Sequence, residues 1–303
     1  MAAVLGLGAV FYAIEPLLGD LSPLTRAELP ASALMFVCPT VAAVLLIWRF
    51  DGRAGLRRWF GGILRRSTAV RAGWLVTAIL LLPLVLTVSY LILRWTGSPL
   101  PEPHLPLAGV AVLVVVYLLS GFVEELGWTG YATDPLRRRW GVLGAGLVIG
   151  VVWAGWHLVP YWQAGHIAAW IAWQTLFTVA FRVVLVHLYD GTGSVLTVAI
   201  CHASYNVAWS MFPNAGSHYD PMTVALLTVG IAAVLTCWRT RWGQIRESAA
   251  RSGSRPSEPR SSAARWNSLR SKSAPLRVLA SSRACNQIRS PILYDGACPG
   301  QPR

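Results

Sequence analysis

Two adjacent carboxylates, Glu124 and Glu125, follow directly on an apolar run from Leu107 to Val123. An ionised carboxylate in hydrocarbon is costly even on lenient scales, so polar partners from elsewhere in the chain must cover such a pair. Two other apolar stretches carry candidate partners. His157 interrupts residues 142–161, and His202 with Asn206 interrupts residues 195–211. The fold is therefore constrained to gather three apolar segments around one polar cluster.

A helix that crosses a bilayer needs about 20 mostly apolar residues. Eight stretches qualify: residues 2–19, 30–48, 72–93, 106–132, 141–161, 167–188, 194–212 and 221–238. Hydrophobic residues make up 54% of the chain and charged ones 13%, about half the share usual in soluble proteins. The fold class expected is all-α: a polytopic membrane protein of about eight transmembrane helices with a disordered basic C-terminal tail. Residues 1–105 supply N-terminal spans and a basic loop, 106–212 the core with the polar cluster, 213–240 the last span and 241–303 the tail.

The net charge of +13 is no sign of a nucleic-acid partner, because residues 239–303 hold 13 Lys+Arg against 3 Asp+Glu and leave the rest nearly neutral. Arg, Ser, Pro and Ala without periodicity make that tail a disordered segment drawn to anionic lipid. Arg49 to Arg71, Arg137 to Arg139, and Arg239 with Arg241 follow alternate spans and so fall on one side of the membrane. Placing that side in the cytoplasm puts both termini there. Arginine is abundant while Lys272 is the single lysine, which suggests a GC-rich genome and a bacterial plasma membrane. The N-terminus has neither a basic region nor a small-residue cleavage site, so no removable signal peptide is expected. The five cysteines have no disulfide-framework or zinc-knuckle spacing.

Helical spacing sorts the polar groups. His202 and Asn206 stand four residues apart and share a face, as do Glu125 with Thr129 and Glu124 with Trp128. The two glutamates diverge by about 100°, so one is expected to act and the other to support. Counted from the basic side at about 1.5 Å per residue, Glu124 and His202 lie at similar depth and His157 deeper. Gly141, Gly144, Gly146 and Gly150 are read as contact points that let membrane helices pack closely, not as a dinucleotide fingerprint. His104, His166 and His218 fall in outer loops and are expected to be solvated. His187 lies near an inner boundary.

A carboxylate and an imidazole in a partly dehydrated pocket can activate water, with the glutamate as general base. A second imidazole and a carboxamide can donate to the oxyanion of a tetrahedral intermediate. The same Glu124, His157 and His202 could instead hold Zn²⁺ with water in its open position. Either version predicts amide hydrolysis inside the membrane.

Three stretches, EELGWTGYA from Glu124, WAGWH ending at His157 and YDGTGSVLTVAICHASYN ending at Asn206, resemble the motifs of the CPBP family. These are type II CAAX prenyl protease and bacteriocin-processing membrane proteins. The resemblance covers roughly residues 107–211. It implies that Glu124 with His157 activates the attacking water and that His202 with Asn206 forms the oxyanion hole. Glu125 becomes the second, less critical carboxylate. The substrate implied is a membrane peptide or protein, lipidated or not, and the mechanism glutamate-based or zinc-dependent. One position departs from the pattern: where the family has Arg four residues after the second glutamate, this chain has Thr129. Arg182, inside the sixth apolar stretch, is a candidate to supply the missing cation; otherwise it snorkels to the interface. Two rival functions are a non-catalytic membrane protein binding a peptide or bacteriocin, as an immunity factor would, and a metal or proton transporter.

Overall fold

Apolar residues in these stretches have no water to bond their backbone, so the chain satisfies its amides internally as helices. The computed structural model describes residues 1–18, 31–67, 70–100, 107–211 and 218–251, and contains eight α-helices and no strand among them. They are α1 (Ala2–Leu18), α2 (Cys38–Ser67), α3 (Ala72–Trp95), α4 (Leu107–Gly127), α5 (Asp134–Gln163), α6 (Ala168–Thr192), α7 (Val195–Met211) and α8 (Pro221–Arg251). A short 3₁₀ segment, Ala31–Val37, leads into α2. Each of the eight expected stretches falls on one of these helices. Five helical stretches, Leu34–Leu64, Ala72–Trp95, Gly109–Gln163, Ala168–Thr192 and Pro221–Ile245, are long and apolar enough to cross a membrane. The chain is an all-α, polytopic integral membrane protein.

Glycines shape two of the long helices. Gly52 (φ 62°) interrupts α2 and Gly141 (φ 72°) interrupts α5, conformations that side-chain-bearing residues rarely adopt. The break at Gly141 marks the expected start of the fifth span. Between α4 and α5 the helix widens into a π turn, Trp128–Thr133. Thr133 Oγ1 donates to the Trp128 carbonyl at 2.9 Å, and Trp59 Nε1 to the Gly130 carbonyl at 2.9 Å. These bonds take up carbonyls that the widened turn leaves available.

Close packing of α5 on α6 depends on two small residues one helical turn apart. A Cβ at Gly146 would lie 2.8 Å from Val183 Cα, and one at Gly150 3.0 Å from Val179 Cα. The same helices are tied to α8 at the arginine-bearing end. Arg137 pairs with Asp134 at 3.0 Å and also with Asp190, which pairs with Arg239. His187, from the inner boundary of α6, lies 3.1 Å from Thr236 Oγ1 of α8. The helix α8 continues to Arg251, past the boundary expected at residue 240, because Arg, Glu and Ala have high intrinsic helix propensity and sustain a helix beyond the apolar stretch. The expected disordered tail beyond that point lies outside the described residues.

The start of α2 is clamped to the end of α4. Thr40 Oγ1 donates to the Val123 carbonyl, and a Cβ at Gly127 would stand 2.2 Å from Pro39 C and 2.4 Å from its O. Backbone cannot yield as a flexible side chain can. Gly127→Ala is expected to lower stability by about 1–3 kcal/mol or more, while Gly109→Ala, with nothing within 4 Å of its Cβ, is expected to leave it unchanged or slightly raised. Thermal unfolding of the detergent-solubilised variants checks this.

Candidate active site

The two glutamates at the end of α4 point to different neighbours, as their angular separation requires. Glu125 is fully buried. Both guanidinium nitrogens of Arg182 donate to it, Nη1 to Oε2 at 2.8 Å and Nη2 to Oε1 at 2.9 Å. Thr129 Oγ1 donates to the same Oε2, and His202 Nδ1 lies 3.0 Å from Oε1. Four donors and a matched cation thus commit both oxygens of this buried carboxylate to the protein. Arg182 is itself 0% exposed, so it does not snorkel.

Glu124 is held differently. Its Oε1 accepts from Trp128 Nε1 at 3.2 Å and from Trp153 Nε1 of α5, neutral donors that orient the carboxylate without cancelling its charge. Glu124 lines a cavity of about 330 Å³ that Glu125 does not reach. His157, His202 and Asn206 line the same cavity. Thus α4, α5 and α7 each deliver their predicted groups to one space, and the resemblance's second carboxylate is placed behind its wall.

Each imidazole has one nitrogen fixed. His157 Nδ1 lies 2.9 Å from the Trp153 carbonyl, which can only accept. His202 Nδ1 faces the Glu125 carboxylate. Both Nδ1 atoms therefore carry protons, and in the neutral rings each Nε2 offers a lone pair. The Asn206 carboxamide has no hydrogen-bond partner among the described residues.

Trp153 sits at the centre of this arrangement. Its ring stands edge-on to His157 at 5.6 Å and to His202 at 5.3 Å, and the Arg182 guanidinium lies 4.1 Å from its centroid. Trp153 opens the WAGWH stretch that resembles the family motif, which gave no sign of its bond to Glu124. Gln174 of α6 gave a signal that hydropathy reading passed over, a carboxamide inside an apolar span. It is buried, accepts from Tyr219 Oη at 2.7 Å and donates to Tyr205 Oη at 3.2 Å. Burial pushes the Tyr219 phenol well above its ordinary range, which keeps it a donor. His166, expected to be solvated, instead stacks on Trp170 at 3.6 Å and lines the cavity, because α6 begins beside it. His104 lies outside the described residues.

Among the described residues no three His, Cys, Asp or Glu side chains are arranged to hold a metal ion. Glu124, His157 and His202, the set considered for zinc, line one cavity without converging as ligands. Cys201, next to His202 in sequence, is buried in the apolar core.

Residues 106–208 match the family described as Type II CAAX prenyl endopeptidase Rce1-like. That segment is similar to this family. It takes in α4, α5, α6 and most of α7, and with them Glu124, Glu125, His157, His202 and Asn206. The chain is also similar to a CAAX prenyl protease 2 of Methanococcus maripaludis, 44% identical over 48 residues, which are 16% of this chain and 17% of that protein. The similarity thus spans about a sixth of the relative's length.

Proposed function

We propose that the chain is an intramembrane endopeptidase that hydrolyses a peptide bond of a membrane-associated substrate. The observation that carries this reading is the sorting of the two glutamates: Glu124 lines the cavity beside His157, His202 and Asn206, whereas Glu125 is committed to Arg182 behind it. Water in the cavity is positioned by the Nε2 lone pair of His157 and gives its proton to Glu124 as its oxygen attacks the scissile carbonyl carbon. Glu124 then passes that proton to the leaving nitrogen as the C–N bond breaks. The Asn206 amide donates to the carbonyl oxygen as it gains charge. His202, fixed through Nδ1 by the Glu125 carboxylate, lines the same cavity beside it.

The substrate class follows from the bilayer location and the family segment: a membrane peptide or protein, with prenylated CAAX-like chains among the candidates. The arginine-bearing end is assigned to the cytoplasm, which places both termini there, and the membrane to a bacterial plasma membrane.

Purified protein in proteoliposomes, incubated with lipidated and unlipidated membrane peptides, is expected to generate new peptide termini readable by mass spectrometry. Cleavage is expected to persist after exhaustive chelation. Activity lost on chelation and restored by Zn²⁺ would replace the glutamate mechanism with a metal-dependent one. Absence of new termini from a folded protein would favour the peptide-binding or immunity function.

A further inference from the structure

We propose that Arg182 is a positioning residue for both halves of the site and that it carries, from α6, a charge that position 129 of the π turn could equally supply. The inference rests on the endopeptidase reading for its kinetic consequences, but not for its structural ones. Two bonds connect Arg182 to the acting groups. Through Glu125 it controls His202: a carboxylate held by a bidentate guanidinium presents Oε1 to His202 Nδ1, which fixes the ring with its proton on Nδ1 and Nε2 toward the cavity. Through the Trp153 ring it controls Glu124: the guanidinium lies 4.1 Å from the ring centroid, and the same indole donates its N–H to Glu124 Oε1. Arg182 touches no cavity surface itself.

The fold makes this reach possible. A Cβ at Gly150 would lie 3.3 Å from Arg182 Cβ, so the absence of a side chain there lets α6 lie against α5 at the level of the glutamates. Glu125 Oε2 receives two donors, Arg182 Nη1 from α6 and Thr129 Oγ1 from the π turn. Thr129 is 2% exposed and donates without charge. One carboxylate needs one cation, and two positions touch it. The charge can therefore be moved: Thr129→Arg together with Arg182→Leu keeps the pair neutral, whereas Thr129→Arg alone buries two guanidinium groups against one carboxylate.

The test compares wild type, Arg182→Lys, Arg182→Leu, Thr129→Arg and Thr129→Arg/Arg182→Leu, each at a temperature where it is folded. Peptide cleavage gives kcat and KM, and ¹⁵N chemical shifts of labelled histidine give the His202 tautomer in detergent. Arg182→Lys keeps the charge but loses the fork, and kcat is expected to fall by up to about 100-fold, the scale for misplacing active-site geometry by about 1 Å, with KM little changed. Arg182→Leu is expected to convert part of His202 to the Nε2–H form. The double variant is expected to restore the Nδ1–H form and about tenfold of the lost kcat, while Thr129→Arg alone lowers the melting temperature.

A folded Arg182→Lys with wild-type kcat, or a folded Arg182→Leu with unchanged His202 tautomer, overturns the proposal. If wild type cleaves nothing, the endopeptidase reading fails, and the tautomer comparison still decides the role of Arg182. Should Arg182→Leu not fold, the lysine and double variants carry both readouts.

Discussion

Glu124→Gln is expected to abolish cleavage while leaving the protein as stable as wild type. The carboxamide keeps an oxygen that can accept from the Trp128 and Trp153 indoles, so the side chain stays in place. It cannot accept a proton from water at neutral pH. Loss of a general base costs about 10²- to 10⁴-fold in rate, which in a peptide assay reads as no new termini. The comparison variant is Glu124→Asp, which retains the charge but withdraws it by one methylene from both indoles, and an intermediate rate is expected. Thermal unfolding of all three proteins in detergent separates chemistry from folding. Cleavage by Glu124→Gln at the wild-type rate would move the base elsewhere and remove the case for Glu124.

That the two glutamates face different neighbours was legible because a helix turns by about 100° per residue, so adjacent side chains cannot reach one spot. Which of them faces the cavity was not legible from helical spacing, and only the family resemblance pointed to Glu124. The outcome depends on which face of α4 meets α6, and no spacing within α4 encodes it. Arg182 was legible as an anomaly, a cation inside an apolar span, but its two destinies, interface or buried pair, differ only in helix rotation. The small residues Gly146 and Gly150 decide it by admitting α6 close to α5.

Trp153 and Gln174 show the same limit from another side. Trp153 opens a motif and Gln174 stands in a stretch that reads as plain span, yet nothing in the sequence shows that one orients Glu124 and the other bonds tyrosines of α7 and the segment before α8. Such partners are dozens of residues away, and hydropathy periodicity reports only that a residue is in the bilayer. The π turn at Trp128–Thr133 was invisible for a related reason. Its widening is supported by Trp59 from α2 as well as by the local Thr133 hydroxyl, and the first of these partners is 71 residues away.

Glu125→Leu is expected to produce the opposite phenotype from Glu124→Gln: loss of the fold's stability first, and of activity as a consequence. The substitution leaves the Arg182 guanidinium fully buried without its counter-ion, beside a His202 Nδ1–H with no acceptor. Breaking a buried pair from one side costs about 3–5 kcal/mol, which for a chain of this size lowers the melting temperature by roughly 10 °C. Adding Arg182→Leu to Glu125→Leu removes the stranded charge and replaces the pair by packed apolar groups, so much of the loss should return. Activity should not return with it, since His202 still lacks the acceptor that holds its ring. A double variant no more stable than Glu125→Leu would mean that the pair's cost lies in packing and not in charge. A double variant that regained both stability and cleavage would show that Glu125 and Arg182 serve only the fold, and His202 would then have to be oriented by something other than the carboxylate beside it.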